Sequence, residues 1–166
     1  RRPFTTKVMV DNTKPPVGKK WTFDSLKLRV PCAQYGYIHI GLFCDANSKR
    51  HIAIGMIGLT ADDVMKCFNR HEALVRPIHG KPYVVKLDSH PTHRGSELQD
   101  YFDSHKRLRL LSPPYVHEGV TDAENTFLHA VPSALALLKG APDLGEEHFY
   151  SAFLTACETW DDLVIR

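Results

Sequence analysis

Close-spaced cysteines are missing from this chain. Its four, Cys32, Cys44, Cys67 and Cys157, form no CxxC or other short-spaced pair, which excludes a zinc ribbon and a redox dithiol. Three of them sit in apolar surroundings and are expected to be buried thiols, the usual fate of free cysteine. No apolar run approaches the ~20 residues needed to cross a bilayer. Residues 1–20 carry Arg, Lys, Thr and Pro but no apolar stretch of signal-peptide length. The expectation is therefore a soluble protein, not secreted and without a membrane partner. The chain shows no internal repeat, no low-complexity tract and no initiator Met; the last suits a segment of a longer polyprotein. Charge of one sign is also scarce. A net charge of +2 neither demands nor excludes nucleic-acid binding, whose usual footprint is a strongly basic patch.

What is present is the material of one ordinary domain: 166 residues, 43% of them hydrophobic. Residues 1–18 have no periodicity and read as an extended lead-in; the domain proper is expected over 19–166. Strands are expected at Trp21–Leu28, at the β-rich Tyr37–Cys44 and, after the turn-forming Asp45-Ala46-Asn47-Ser48, at His51–Ile57. Thr60 is placed to cap a helix running to about Val75, with Asp62 and Asp63 in its first turn. Arg76–Lys81 reads as a loop. Tyr83–Leu87 is a fourth strand, Ser96 caps a short helix to about His105, and Arg107–Leu111 is a fifth strand. Two helices follow, over Thr121–Lys139 and from Glu146 to about Leu163. Three sequential strands followed by β/α alternation give an α/β domain, a five-stranded mixed sheet with helices on both faces. This is the RNase H-like order.

Three acidic residues stand out. Asp24 lies inside the first strand, where Asp is disfavoured. Asp88 ends the fourth strand, at the sheet edge where α/β folds place their sites. Glu124 lies in the first turn of the long helix and heads a stripe of Leu128, Val131, Leu135 and Leu138, so it points toward a core, which is costly for an unpaired carboxylate. Each has a plainer reading: a turn residue, a cap, a charge favouring the helix dipole. Together they suit phosphoryl transfer, in which two ions about 3.5–4 Å apart hold the attacking and leaving oxygens. Magnesium, or manganese in its place, takes hard oxygen ligands and few of them from protein. Clustered carboxylates repel, so at least one of the three is expected to ionise above the usual range.

The spacing and the surrounding motifs resemble the integrase catalytic cores of copia-type retrotransposons. Thirty-five residues separate Asp88 from Glu124, as is typical of retroviral and retrotransposon integrases. Ser112-Pro113-Pro114-Tyr115, at its distance from Ala123-Glu124, is similar to the family's "S-x-P-Y-T-P-Q-Q-N-G-V-A-E". Trp21-Thr22-Phe23-Asp24 is similar to "W-x-x-D". Leu42 to Ser48 resembles "F-V-D-D-Y-S", whose acidic residue is not catalytic, which sets Asp45 aside. Leu138 to Ala156 resembles "L-x-x-A-x-L-P-x-x-F-W-x-E-A-x-L-T-A". The resemblance covers roughly residues 19–163. It implies a metal-dependent nuclease and strand transferase acting in DNA integration, with Asp24, Asp88 and Glu124 as catalytic metal ligands. It also implies magnesium as cofactor, and DNA, further copies of the chain and other Gag-Pol-type polyprotein segments as partners. Synthesis in the cytoplasm and action in the nucleus follow from the same likeness.

The chain departs from the family at Asp88-Ser89-His90, where Asp-Asn-Gly is usual, at Asn125, Leu128 and Leu135, where basic residues are usual, and at Pro132 inside the long helix. The densest basic cluster after the lead-in is Arg94, Lys106, Arg107 and Arg109, which with Asn125 forms the candidate DNA-binding set; a solvated strand edge reads equally well. His90, His93, His105 and His117 read as loop histidines, since no further ligand completes a zinc set around His90-x-x-His93. The rival to an active enzyme is an inactive RNase H-like remnant that binds nucleic acid or protein.

Overall fold

The computed structural model describes residues 15–88, 90–112 and 121–164. Alternation decides its first layer. In β1 (Lys20–Lys27) Trp21 and Phe23 are buried on one face, while Thr22 and Asp24 turn to the other. β2 (His39–Asp45) and β3 (His51–Met56) follow as antiparallel neighbours, and β4 (Val84–Leu87) and β5 (Leu108–Leu111) as parallel ones. The sheet order is β3-β2-β1-β4-β5, the mixed five-stranded arrangement expected from the sequence. Parallel pairing of β1 with β4 requires a crossover, and α1 (Ala61–His79) provides it.

Thr60 caps α1 as expected. Its hydroxyl accepts from the Asp63 N–H at 3.3 Å, and the Asp63 carboxylate accepts from the Thr60 N–H at 3.1 Å, a reciprocal capping box. The expected end at Val75 is corrected. The helix continues through Pro77 to His79 and stops at Gly80, whose φ of 76° suits glycine and whose N–H donates to the Arg76 carbonyl at 3.0 Å. The short helix α2 (Pro91–Arg94), absent from the sequence reading, precedes α3 (Ser96–Ser104). Then come α4 (Thr121–Lys139), a 3₁₀ turn at Glu146–His148 and α5 (Phe149–Val164).

Helices cover both faces. Phe23, Phe43, Val85 and Leu87 pack with Val64, Phe68 and Val75 of α1 and Leu98 and Phe102 of α3. Ile40 and Leu42 pack with Ala123, Ala130 and Ala134 of α4 and Phe153 of α5. Small residues line the buried side of α4, which lets the helix lie close to the strands. The expected stripe is therefore corrected: Leu128 is 71% and Leu135 45% exposed, so position on that stripe is no argument that Glu124 points into a core. All four cysteines are buried, and burial pushes Cys67 and Cys157 up to about 12. Among the described residues no helix is long and apolar enough to cross a membrane.

A buried polar network ties the second layer together. The Asp161 carboxylate of α5 accepts from the His51 backbone N–H at 3.0 Å and pairs with the His51 ring at 2.5 Å. The other ring nitrogen of His51 meets the Thr126 hydroxyl of α4. One residue from each of β3, α4 and α5 is thus joined in a largely buried place.

Candidate active site

The parallel register between β1 and β4 pairs Lys20 with Val84, Trp21 with Val85 and Thr22 with Lys86. Asp24 and Asp88 each lie two residues beyond the last of these pairs, Asp24 within β1 and Asp88 just past the end of β4. Asp24 sits opposite Leu42 across the antiparallel pair and so shares the sheet face that α4 covers, since Leu42 packs in the cluster containing Ala123. Ala123 is one residue before Glu124 in the first turn of α4. Further along, Val131 and Leu135 lie beside Leu26–Val30. The side chain of Glu124, like the segment 113–120 that holds most of the Ser-Pro-Pro-Tyr motif and His117, lies outside the described residues.

The two aspartates are held differently. Asp24 is half-buried, and its carboxylate accepts from the Ser25 N–H at 2.8 Å. Asp88 follows the buried Leu87 at the end of β4, and its Oδ1 accepts from the His93 ring Nδ1 at 2.6 Å and from the His90 N–H at 3.1 Å. The hydrogen bond from His93 holds its carboxyl below the usual carboxylate range against the opposing effect of burial, with the His90 N–H adding to it. The shift at Asp88 thus runs opposite to the rise expected for a crowded carboxylate, because a donor and not another acid is its nearest partner. Asp88 is ionised at neutral pH.

Hard carboxylate oxygens from Asp24 and Asp88, with Glu124 on the neighbouring helix, have the donor chemistry that magnesium requires. Among the described residues no three His, Cys, Asp or Glu side chains are near enough to hold an ion together. His90 and His93 do not supply an alternative centre. Their rings are 5.4 Å apart and tilted, the Nδ1 of His90 accepts from the Thr92 N–H, and the Nδ1 of His93 is committed to Asp88.

The basic set divides. Arg94, Lys106 and Asn125 are exposed. Arg107 is corrected: it is only 5% exposed, with its guanidinium over the Phe102 ring at 5.6 Å, so it cannot track a phosphate backbone in this conformation. Arg109 turns one guanidinium nitrogen back onto the carbonyls of His93 at 2.7 Å and Gly95 at 3.0 Å. Asp45, set aside by the sequence, caps its own turn by accepting from the Ser48 hydroxyl at 2.7 Å and the Gly18 N–H at 3.2 Å.

The residue that sequence reasoning misses is His93, which reads as a loop histidine but is buried in α2. The signal was His90-Pro91, since proline favours the first position of a helix. Its i+3 residue then falls on the inner side of that turn.

No protein-family model matches this chain, and no curated protein matches it by sequence. Solved structures do. A chain of the simian T-cell lymphotropic virus intasome, solved in complex with PP2A regulatory subunit B56 gamma, superposes with a TM-score of 0.70 at 17% identity over 88% of this chain. This chain spans about half that one, 49% of its length. The magnesium-bound HTLV-2 integrase catalytic core in its dimeric form gives 0.67 at 17% identity, covering 91% of each chain. The BIV integrase catalytic core gives 0.59 at 15% identity, over 84% of this chain and 81% of the other. The fold is the RNase H-like fold of retroviral integrase cores.

Proposed function

We propose, on the premise of that shared fold, that this chain is the core of a metal-dependent polynucleotidyl transferase that cuts and joins DNA strands, of the retrotransposon-integrase kind. The observation that supports the reading is the parallel pairing of β1 with β4, with Asp24 and Asp88 each two residues beyond its last pair. Asp24 and Asp88 would hold magnesium or manganese, and Glu124 would complete the ligand set. Ions bound there would supply charge neutralisation on the transferring phosphoryl group and activation of the attacking oxygen. The protein's part is positioning. Strand backbone holds Asp24, hydrogen bonds from His93 and His90 hold Asp88, and the helix would let Glu124 adjust its reach. The exposed Arg94, Lys106 and Asn125 would meet the phosphate backbone. Self-association fits the same reading, since the HTLV-2 core occurs in dimeric and trimeric forms; action in the nucleus and origin in a polyprotein belong to it too.

One observation favours the inactive remnant: the outward face of α4 carries Asn125, Leu128 and Leu135, all exposed, where integrases of the resembled kind tend to be basic. Fewer phosphate contacts weaken DNA binding and flatten its salt dependence. Labelled duplex DNA incubated with the protein and millimolar manganese at low salt decides between them. The expected result is nicking or strand joining, accompanied by a higher melting temperature in the metal, because an ion that binds only the folded state stabilises it. No product and an unchanged melting curve would reject the enzyme and leave only the fold.

A further inference from the structure

We infer that His93 is a positioning residue for Asp88: a buried imidazole that fixes one oxygen of the carboxylate so that the other is presented to a divalent cation. The inference rests on the metal-dependent reading above and names what orients one of its ligands. Metal-binding groups are commonly held by a second hydrogen-bonding partner, and loss of that partner weakens the metal even though no direct ligand is touched. Here the ligand is a carboxylate at a strand end, where the backbone no longer constrains it, and the partner is an imidazole.

His93 is built into this place from several directions. It is 3% exposed, and its ring packs edge-on to the fully buried Phe23 at 5.7 Å between centroids. Its Nδ1 lies 2.6 Å from Asp88 Oδ1, and since the carboxylate only accepts, the ring must donate. α2, which carries it, is anchored at both sides. The Thr92 hydroxyl donates to the Leu59 carbonyl at 3.0 Å. Arg109 of β5 donates to the His93 carbonyl itself at 2.7 Å and to that of Gly95 at 3.0 Å. A guanidinium therefore holds the turn, the turn holds the imidazole, and the imidazole holds the carboxylate. Phe23 adjoins Asp24 in β1, so the ring that touches Phe23 and binds Asp88 also links the two strands bearing the aspartates.

Three variants separate positioning from packing. His93→Phe keeps an aromatic ring against Phe23 but cannot donate. His93→Asn places an amide N–H close to where Nδ1 stood. His93→Ala removes both. The readout is manganese affinity by calorimetry, with melting temperature in chelator as the measure of folding. His93→Phe is expected to bind manganese about 10–100-fold more weakly, the usual loss for such a partner, and His93→Asn to recover most of it. If His93→Phe binds manganese as tightly as the unmodified chain, or if His93→Asn is as weak as His93→Phe, the positioning role is overturned while the metal-dependent reading stands. If the unmodified chain itself binds no manganese, that reading falls first and this inference falls with it. Should His93→Phe fail to fold, His93→Asn against His93→Ala carries the same comparison.

Discussion

Asp88→Asn is expected to lower manganese-dependent cleavage and joining by about 10²-fold or more while leaving the fold intact, and Glu124→Gln is expected to do the same. The carboxamide that replaces the Asp88 carboxylate matches it in volume, and its oxygen can still accept the hydrogen bond that the His93 ring donates at 2.6 Å. What is lost is the charge that holds the cation. Glu124→Gln likewise keeps the length of the side chain on the first turn of α4 and removes only its charge. Kinetics on a labelled DNA end, with melting curves for each variant, check both. Activity within a few-fold of the unmodified chain in either variant would remove that residue from the metal site. The double substitution Asn125→Arg with Leu128→Arg forms the complementary arm: the added positive charge should strengthen DNA binding and steepen its salt dependence.

The second large effect lies away from the chemistry. Asp161→Ala is expected to destabilise the fold by about 3 kcal/mol, because the His51 backbone N–H and ring lose their shared buried acceptor and each such orphan costs about 1–3 kcal/mol. For a domain of this size that is a fall of roughly 6–12 °C in melting temperature. Denaturant or thermal unfolding measures it. A loss under about 1 kcal/mol would mean that water or a neighbouring group satisfies His51 once Asp161 is gone.

The sheet was legible because alternation is a strong signal. Trp21 and Phe23 against Thr22 and Asp24 specify two faces, and the element order then leaves few topologies. The placement of Asp24 within β1 and of Asp88 just past β4 was legible for a related reason, since an acid within a strand and an acid at a strand end both break the apolar pattern. α4 was not legible in its orientation. It is rich in Ala, Val and Leu on more than one side, so hydrophobicity points to the leucines, whereas close packing on β1 and β2 selects Ala123, Ala130 and Ala134. Proline near a helix end usually stops it, which points to an end of α1 at Val75, yet Pro77 lies in the last turn before Gly80. Arg107 precedes β5 and reads as surface charge, and only tertiary packing over Phe102 buries it. The roles of His93, His51 and Asp161 arise from partners distant in space. His51 and Asp161 are 110 residues apart, and no local pattern encodes that meeting.

If Asp24, Asp88 and Glu124 share a divalent cation, anomalous scattering from crystals grown with manganese will locate it. The expected result is a manganese peak between the carboxylates of Asp24 and Asp88 with Glu124 beside it, lost in Asp88→Asn. A peak on the histidines alone, or none at these carboxylates in millimolar manganese, would contradict it.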